Sequence, residues 1–219
     1  RNHLSGSRIP FHEKRIAISL PRKFQEAVVA LACLLGGAVF IPLHPRSPVN
    51  YRLELMSSCN SRIIVCTEEE RADFESEASI SVVVLSESGE VKSITPPRAE
   101  SSQNISCEWP IDTDQVCYIL HTSGSTGKPK GVCGTYSGLL NRLQWGWNEF
   151  PFAMDEVVLR RTPLVFVDSL VEIFGTLLRG MPLLYSSEDM MDDPSLLPAL
   201  FTNSGRTATR LTLVPSLLA

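Results

Sequence analysis

Residues 24–43 have the sequence FQEAVVALACLLGGAVFIPL, an apolar stretch divided by the pair Gly36-Gly37. Before the glycines, the spacing of the apolar residues predicts a helix over residues 23–35. After them, residues 38–43 predict a short buried strand. The apolar face of the predicted helix consists of Phe24, Val28, Leu31 and Leu35. A helix joined to a buried strand by a glycine turn indicates a sheet with helices packed on it.

The same stretch is long enough to be compared with a membrane span. Residues 27–43 are apolar, and a transmembrane helix needs roughly 20 such residues. The glycine pair breaks the run, however, and Pro42 bounds its second half. The sequence therefore favours a helix, a turn and a strand, and it predicts no membrane span.

Short apolar runs alternate with amphipathic stretches along the whole chain. Predicted strands cover residues 16–20, 38–43, 62–66, 79–85, 115–120, 157–159, 183–185 and 210–214. Predicted helices cover residues 23–35, 49–58, 136–147, 169–178 and 194–202. The polar residues 86–110 are expected to form a surface connection. This alternation predicts an α/β fold with mixed sheets flanked by helices.

Composition excludes one class of partner. The 219 residues include 20 basic and 24 acidic side chains, giving a net charge of −4. No run of Lys or Arg is long enough to follow a phosphate backbone, so a nucleic-acid partner is not expected.

The cysteines and the first residues indicate the compartment. The six cysteines lack the C-x-x-C spacing of zinc and redox sites and are expected to be buried thiols in a reducing compartment. Residues 1–21 contain no apolar core of the length that a signal peptide needs. We therefore expect a cytoplasmic protein, and the absence of an initial Met suggests a piece of a longer chain.

Residues 122–131, with the sequence TSGSTGKPKG, concentrate hydroxyls, glycines and two lysines in one loop after a predicted strand. Glycines let backbone N–H groups turn toward an anion, hydroxyls add donors, and lysines supply positive charge. The loop therefore suits a polyphosphate, although a flexible surface loop is the alternative. The candidate nucleotide-binding residues are Thr122, Ser123, Gly124, Ser125, Thr126, Gly127 and Lys128.

This loop is not a Walker loop. Thr122 occupies the position five before Gly127 where that motif has glycine, and Lys128 is followed by Pro129 instead of Ser or Thr. His121 directly precedes the loop, but a histidine at a strand end is more often packed and hydrogen-bonded than catalytic.

Three segments together resemble the adenylate-forming superfamily, which includes acyl-CoA synthetases, luciferases and peptide-synthetase adenylation domains. The first is the phosphate loop at residues 122–131. The second, LGGAVFIPLHP at residues 35–45, is similar to a scaffold segment of adenylation domains, and the third, FVDSLVEIF at residues 166–174, is similar to the segment that opens their substrate-pocket helix. The resemblance covers nearly the whole chain but less than half of an adenylation domain.

The resemblance implies an enzyme that activates a carboxylic acid with Mg-ATP as an acyl-adenylate. The acyl group would then pass to an amine or to a phosphopantetheine thiol on a carrier domain. Lys128 and Lys130 would be the catalytic cations of this part of the chain. Residues 1–219 would form an incomplete adenylation domain, namely part of its N-terminal lobe. The Mg²⁺-binding Glu and the C-terminal lobe would lie beyond Ala219, so residues 1–219 alone are expected to be inactive.

The substrate segment departs from the pattern of many domains that activate α-amino acids. Those domains carry Asp directly after the Phe, where this chain has Val167, and here the acid is Asp168. A shift of one residue in a helix rotates a side chain by about 100°. Asp168 and Ser169 are the candidate substrate-binding residues, and an N-cap role is the alternative.

This variant, together with residues 141–145 and 214–218, resembles a subgroup that includes the β-alanyl-bioamine synthetases. β-Alanine is therefore the best single substrate prediction. Two alternatives stay open, namely an acyl-CoA synthetase for a fatty or aryl acid and a truncated, non-catalytic product that acts by binding only.

Overall fold

The computed structural model describes residues 15–95, 112–122, 129–185 and 207–213, with Ser195 and Phe201 as single residues. Its helices and strands are, in chain order, β1 Arg15–Ser19, α1 Phe24–Leu35, β2 Val39–Pro42, α2 Val49–Ser58, β3 Ile63–Thr67, α3 Arg71–Glu75, β4 Ser81–Leu85, β5 Val91–Thr95, β6 Val116–Thr122, β7 Lys130–Thr135, α4 Tyr136–Glu149, β8 Val158–Arg160, α5 Asp168–Leu170 and β9 Leu183–Tyr185. One π-helical turn, Val171–Gly175, continues α5 directly.

In the described part of the chain, seven strands form one sheet in the order β5-β4-β3-β1-β2-β6-β7, and β8 pairs with β9 in a second sheet. The five inner strands are parallel, and helices α1, α2 and α3 lie in the connections from β1 to β2, from β2 to β3 and from β3 to β4. β5 and β7 lie antiparallel at the two edges. The predicted α/β fold with mixed sheets flanked by helices is confirmed.

Helices cover both faces of the large sheet. On one face, Leu55 and Met56 of α2 and Phe74 of α3 pack against strand residues such as Ala17. On the other face, α1 and α4 pack against the neighbouring residue Ile18. This alternation of faces follows from the two-residue period of a strand.

Of the apolar face predicted for α1, only Leu31 packs against the core, where it is half-buried. Phe24, Val28 and Leu35 are 46%, 54% and 51% exposed. The buried face instead carries small residues, which let the helix approach the sheet closely, together with two polar ones. These buried residues are Gln25, Glu26, Ala27, Ala30 and Cys33.

The interpretation of residues 27–43 as helix, turn and strand is confirmed. α1 ends before Gly37, which has a φ of +70° and so lies in the left-handed region that glycine favours. The chain then enters β2, whose four residues are all buried. No helix in the described ranges is long and apolar enough to cross a membrane.

Three elements were not predicted, namely the helix α3 and the edge strands β5 and β7. β5 lies inside residues 86–110, so the prediction that this whole stretch is a connection is wrong for Val91–Thr95. Edge strands are difficult to predict because one side has no partner and the apolar alternation is weak.

The end of the chain agrees only in part with the predictions. Within the described residues, the predicted strand at residues 210–214 is reduced to a single parallel bridge between Arg210 and Val158. The predicted helix at residues 194–202 lies, apart from Ser195 and Phe201, outside the described residues.

The cysteines are mostly buried, as predicted. Cys33, Cys59, Cys66 and Cys117 are buried free thiols. Cys133 is exposed, because it lies on the edge strand β7, so the prediction is wrong for this residue. Cys107 lies outside the described residues.

Gly134 on β7 permits a close cross-strand contact with Tyr118 on β6. A Cβ at this position would overlap the Tyr118 ring. We therefore expect Gly134→Ala to lower the free energy of unfolding by about 1–3 kcal/mol, the usual effect of overpacking. Urea unfolding measures this change.

Gly146→Ala is the matched control, because a Cβ at Gly146 in α4 meets no atom within 4 Å. Alanine is the better helix former, so this variant should gain roughly 0.5–1 kcal/mol. Equal effects of the two substitutions would show that the Tyr118 contact does not limit position 134.

Candidate functional site

The hairpin of β6 and β7 holds the two ends of the predicted phosphate loop together. Thr122 and Lys130 are cross-strand partners, and the Thr122 hydroxyl donates to the Lys130 carbonyl at 3.5 Å. Both residues are exposed. The structure therefore places these two predicted site residues next to each other. The other members, Ser123, Gly124, Ser125, Thr126, Gly127 and Lys128, lie outside the described residues.

His121 lies just before the loop and is engaged inside the protein. Its Nε2 is 3.4 Å from the Cys59 sulfur at the end of α2. Burial lowers the pKa of this imidazole below its usual value, which favours the neutral form. This contact agrees with the packed, hydrogen-bonded interpretation of the residue.

The hairpin leads directly into α4, and α4 packs against the predicted substrate segment. Thr135 caps the helix, because its hydroxyl accepts a hydrogen bond from the Gly138 N–H at 3.1 Å. Near the other end of α4, the Trp147 indole N–H donates to the Gly175 carbonyl at 2.7 Å. One rigid helix thus connects the phosphate-loop hairpin to the π-helical turn after α5.

The predicted substrate-binding pair begins α5. Asp168 is half-buried, whereas the two preceding residues, Phe166 and Val167, are exposed. Val167 already has helical backbone angles, with φ −59° and ψ −32°. The N-cap interpretation of Asp168 is therefore wrong, because a capping residue has non-helical angles and precedes the first helical residue. A substrate-contact role for Asp168 stays a prediction.

Ser169 differs from Asp168 in its surroundings. It is fully buried, and its hydroxyl donates to the Leu164 carbonyl at 3.3 Å. This bond ties the start of α5 to the segment before it. The position favours a structural role for Ser169, and its predicted substrate contact stays untested.

A buried ion network lies directly beside this segment and was missed at the level of sequence. Arg160 at the end of β8 donates to Glu172 at 2.9 Å and to Glu26 of α1 at 2.7 Å. All three side chains are at most 3% exposed. The sequence does contain a sign of this network, because each of the three charged residues lies inside an apolar segment. Charged side chains are seldom fully buried unless they are paired, so three such residues indicate a buried ion pair.

Glu172 makes further contacts with the chain that follows β8. Its carboxylate accepts the backbone N–H groups of Arg161 and Thr162, each at 3.0 Å, and the Thr162 hydroxyl at 2.7 Å. Glu172 thus holds the beginning of the segment that carries Asp168.

Glu26 has a perturbed acidity. Burial raises the pKa of its carboxyl to about 7, although Arg160 opposes this shift. A raised pKa means that the folded state binds the proton more tightly than the unfolded chain does. The stabilisation from protonation is therefore complete below about pH 4.5, and it is lost as the pH rises to about 7.

We expect Glu26→Gln to remove this pH dependence. The free energy of unfolding of the wild type, relative to that of the variant, should fall by on the order of 2–3 kcal/mol between pH 4.5 and 7. Urea unfolding at several pH values measures the difference. Parallel profiles for the two proteins would contradict the assignment of the proton to Glu26.

A cleft of about 800 Å³ opens at the carboxyl ends of β1 to β4. Residues 163–165, in the segment that Glu172 and Ser169 hold, form part of its wall. The carboxyl ends of parallel strands are the usual ligand side of an α/β sheet, and this volume suits a small molecule. The described residues contain no group of three His, Cys, Asp or Glu side chains placed to hold a metal ion.

The family comparison matches residues 8–219 with the AMP-binding enzymes. Phosphinothricin tripeptide synthetase PhsB of Streptomyces viridochromogenes is 30% identical over 207 residues, which cover 94% of this chain and 17% of that protein. The β-alanyl-bioamine nonribosomal peptide synthetase ebony of Drosophila melanogaster is 31% identical over 192 residues, which cover 86% of this chain and 21% of that protein. The chain thus spans about a fifth of the length of these relatives.

A solved structure supports the fold. The adenylation domain AlmE of Vibrio cholerae, in complex with glycyl-adenosine-5'-phosphate, superposes with a TM-score of 0.72 at 21% identity. The alignment covers 94% of this chain and 41% of that one. Similarity at this level of identity establishes the shared fold. Since the family match extends over nearly every residue, this chain belongs to the AMP-binding enzyme family.

Proposed function

We propose that this chain is the N-terminal part of an adenylation domain that uses ATP to activate a small carboxylic or amino acid. The full-length protein would be an acid–AMP ligase of the peptide-synthetase type. Its acceptor would be an amine or the phosphopantetheine of a carrier domain. The observation that carries this proposal is the match of residues 8–219 to the AMP-binding enzymes.

In the proposed reaction, a carboxylate oxygen of the acid attacks the α-phosphorus of ATP. The bond from this phosphorus to the bridging oxygen breaks, and pyrophosphate leaves with the bonding electrons. Mg²⁺ bound to ATP would supply positive charge to the phosphates. Positioning and electrostatic stabilisation dominate such phosphorus chemistry, so the protein's main task is to neutralise charge on the leaving group.

The β6–β7 hairpin supports the assignment of this task to residues 122–131. Its register brings exposed Thr122 and Lys130 to the same end of the sheet, at the two sides of the loop. Lys130 would add a cation there, and the glycines and hydroxyls between the strands would supply donors to the phosphate oxygens. We assign the principal charge-neutralising role to Lys128.

Asp168 is the proposed partner of a substrate ammonium. It is half-buried at the start of α5, in the segment that borders the cleft at the strand ends. The relative ebony is a β-alanyl-bioamine synthetase by name, and this similarity together with the Val167-Asp168 order favours β-alanine. The cleft wall includes residues 163–165 of this segment, and a carboxylate that reaches the bound acid would attract an ammonium.

Acid-dependent exchange of pyrophosphate into ATP by the full-length protein tests the proposal. We expect exchange with β-alanine, less exchange with glycine, and the least with propionate, which lacks the amine. Exchange only with fatty or aryl acids would support the acyl-CoA synthetase alternative. No exchange with any acid would overturn the proposed function.

Lys128→Ala should lower the exchange rate by on the order of 10²-fold, the scale for losing one transition-state charge partner. Arg71→Ala is the control, since it removes an equal charge from the exposed surface of α3. An unchanged rate in Lys128→Ala would remove this lysine from the mechanism.

A further inference from the structure

The segment of residues 161–172 is closed on itself by two side chains. Glu172 accepts the backbone N–H groups of Arg161 and Thr162 at the start of the segment, each at 3.0 Å. Ser169 donates to the Leu164 carbonyl at 3.3 Å, inside the same segment. Asp168 lies inside both of the stretches that these hydrogen bonds close, so its position depends on both Glu172 and Ser169.

The closed segment is also fixed relative to the large sheet. Arg160 precedes it and bridges Glu172 to Glu26, which belongs to the helix packed on that sheet. The Trp147 side chain of α4 binds the Gly175 carbonyl at the end of the π-helical turn. The segment is therefore fixed by contacts with two helices outside it, α1 and α4.

The chemistry of the Glu172 site requires a carboxylate. Four donors converge on its two oxygens, namely the Arg160 guanidinium, two backbone N–H groups and the Thr162 hydroxyl. A carboxylate has only acceptor sites, whereas a glutamine amide would turn two N–H donors toward these donors. Glu172→Gln therefore keeps the shape of the side chain but loses hydrogen bonds to residues 160–162.

We propose that Glu172 is a positioning residue for the activated acid. It holds the backbone at residues 161–162 and so sets the location of Asp168 beside the acid. Glu172 acts through Asp168 and does not contact the substrate. This role rests on the proposed function.

Glu172→Gln and Glu26→Gln form a matched pair, because each removes one carboxylate from Arg160 but only Glu172 also binds the backbone N–H groups of Arg161 and Thr162. In full-length protein, Glu172→Gln should raise the KM for β-alanine about tenfold or more and leave the KM for ATP within about twofold. Amide hydrogen exchange at Arg161 and Thr162 should become faster. Glu26→Gln should leave these amides protected and raise the KM for β-alanine less than Glu172→Gln does, because Glu172 still binds residues 161–162.

Thr162→Val supplies a second test in case Glu172→Gln does not fold. It removes one donor to Glu172 at a half-buried position and should raise the KM for β-alanine severalfold, again without changing the KM for ATP. An active wild type whose KM for β-alanine is unchanged in both variants overturns the positioning role alone. A wild type that activates no acid overturns the proposed function and the positioning role with it.

Discussion

Arg160→Met should lower the free energy of unfolding by about 3–5 kcal/mol or more. The guanidinium is fully buried and bridges Glu26 and Glu172, which are nearly as buried. Methionine fills similar space but leaves Glu172, together with the ionised fraction of Glu26, in the interior without their cation, and an uncompensated buried charge costs energy on this scale. Urea unfolding at pH 7 measures the loss, and in a marginally stable protein it appears as partial unfolding.

Arg71→Met is the control for this prediction. Arg71 pairs with Glu68 and Glu75 on the surface of α3, where water screens the charges. Surface substitutions of this kind change stability by roughly 0.5 kcal/mol or less. A loss below about 1 kcal/mol in Arg160→Met would show that the two carboxylates do not depend on Arg160.

A double variant separates charge from packing. Adding Glu26→Leu to Arg160→Met replaces one of the stranded carboxylates by an apolar side chain of similar size. Because well-packed apolar groups can replace a buried ion pair without loss, the double variant should recover part of the stability. No recovery would mean that the loss does not arise from the Glu26 carboxylate.

The sheet could be predicted from sequence because each inner strand is a short apolar run bounded by turn residues. β2 is the clearest example, since Val39–Pro42 is completely buried and follows a glycine turn. Strand β7 could not be found in this way. Its sequence, KGVCGT, has no apolar alternation, and the strand forms through its pairing with β6.

The orientation of α1 shows a second limit of sequence patterns. Phe24, Val28 and Leu35 make a convincing apolar face, yet small residues and Glu26 face the core. The partner that permits burial of Glu26 is Arg160, which is 134 residues away along the chain. Local periodicity contains no information about such a distant partner.

The candidate site also has one part that could be predicted from the sequence and one part that could not. The loop at residues 122–131 could be identified because its composition is unusual over ten consecutive residues. The contacts of Glu172 could not, because the four donor groups that converge on it belong to the backbone and side chains of residues 160–162. A glutamate within an apolar helix indicates burial, but its partners are known only from the fold.

Asp168→Ala should weaken activation of β-alanine by several hundredfold or more and leave activation of propionate nearly unchanged. A buried ammonium needs a carboxylate partner, and the loss of one side of such a pair costs roughly 3–5 kcal/mol. Propionate has no ammonium, so it loses nothing when the charge is removed. Pyrophosphate exchange with the two acids, compared in the same preparations, measures this contrast.

The double variant Val167→Asp with Asp168→Val tests the position of the charge. Val167 already has helical backbone angles, so moving the carboxylate from residue 168 to residue 167 rotates it by about 100° around the helix axis. Val167 is also exposed, so an aspartate there costs little to accommodate. We expect this variant to lose β-alanine activation and to gain activation of glycine, whose ammonium lies one carbon closer to the carboxylate. An equal fall with amino and non-amino acids in Asp168→Ala would contradict the ammonium contact and, with it, the preference for β-alanine.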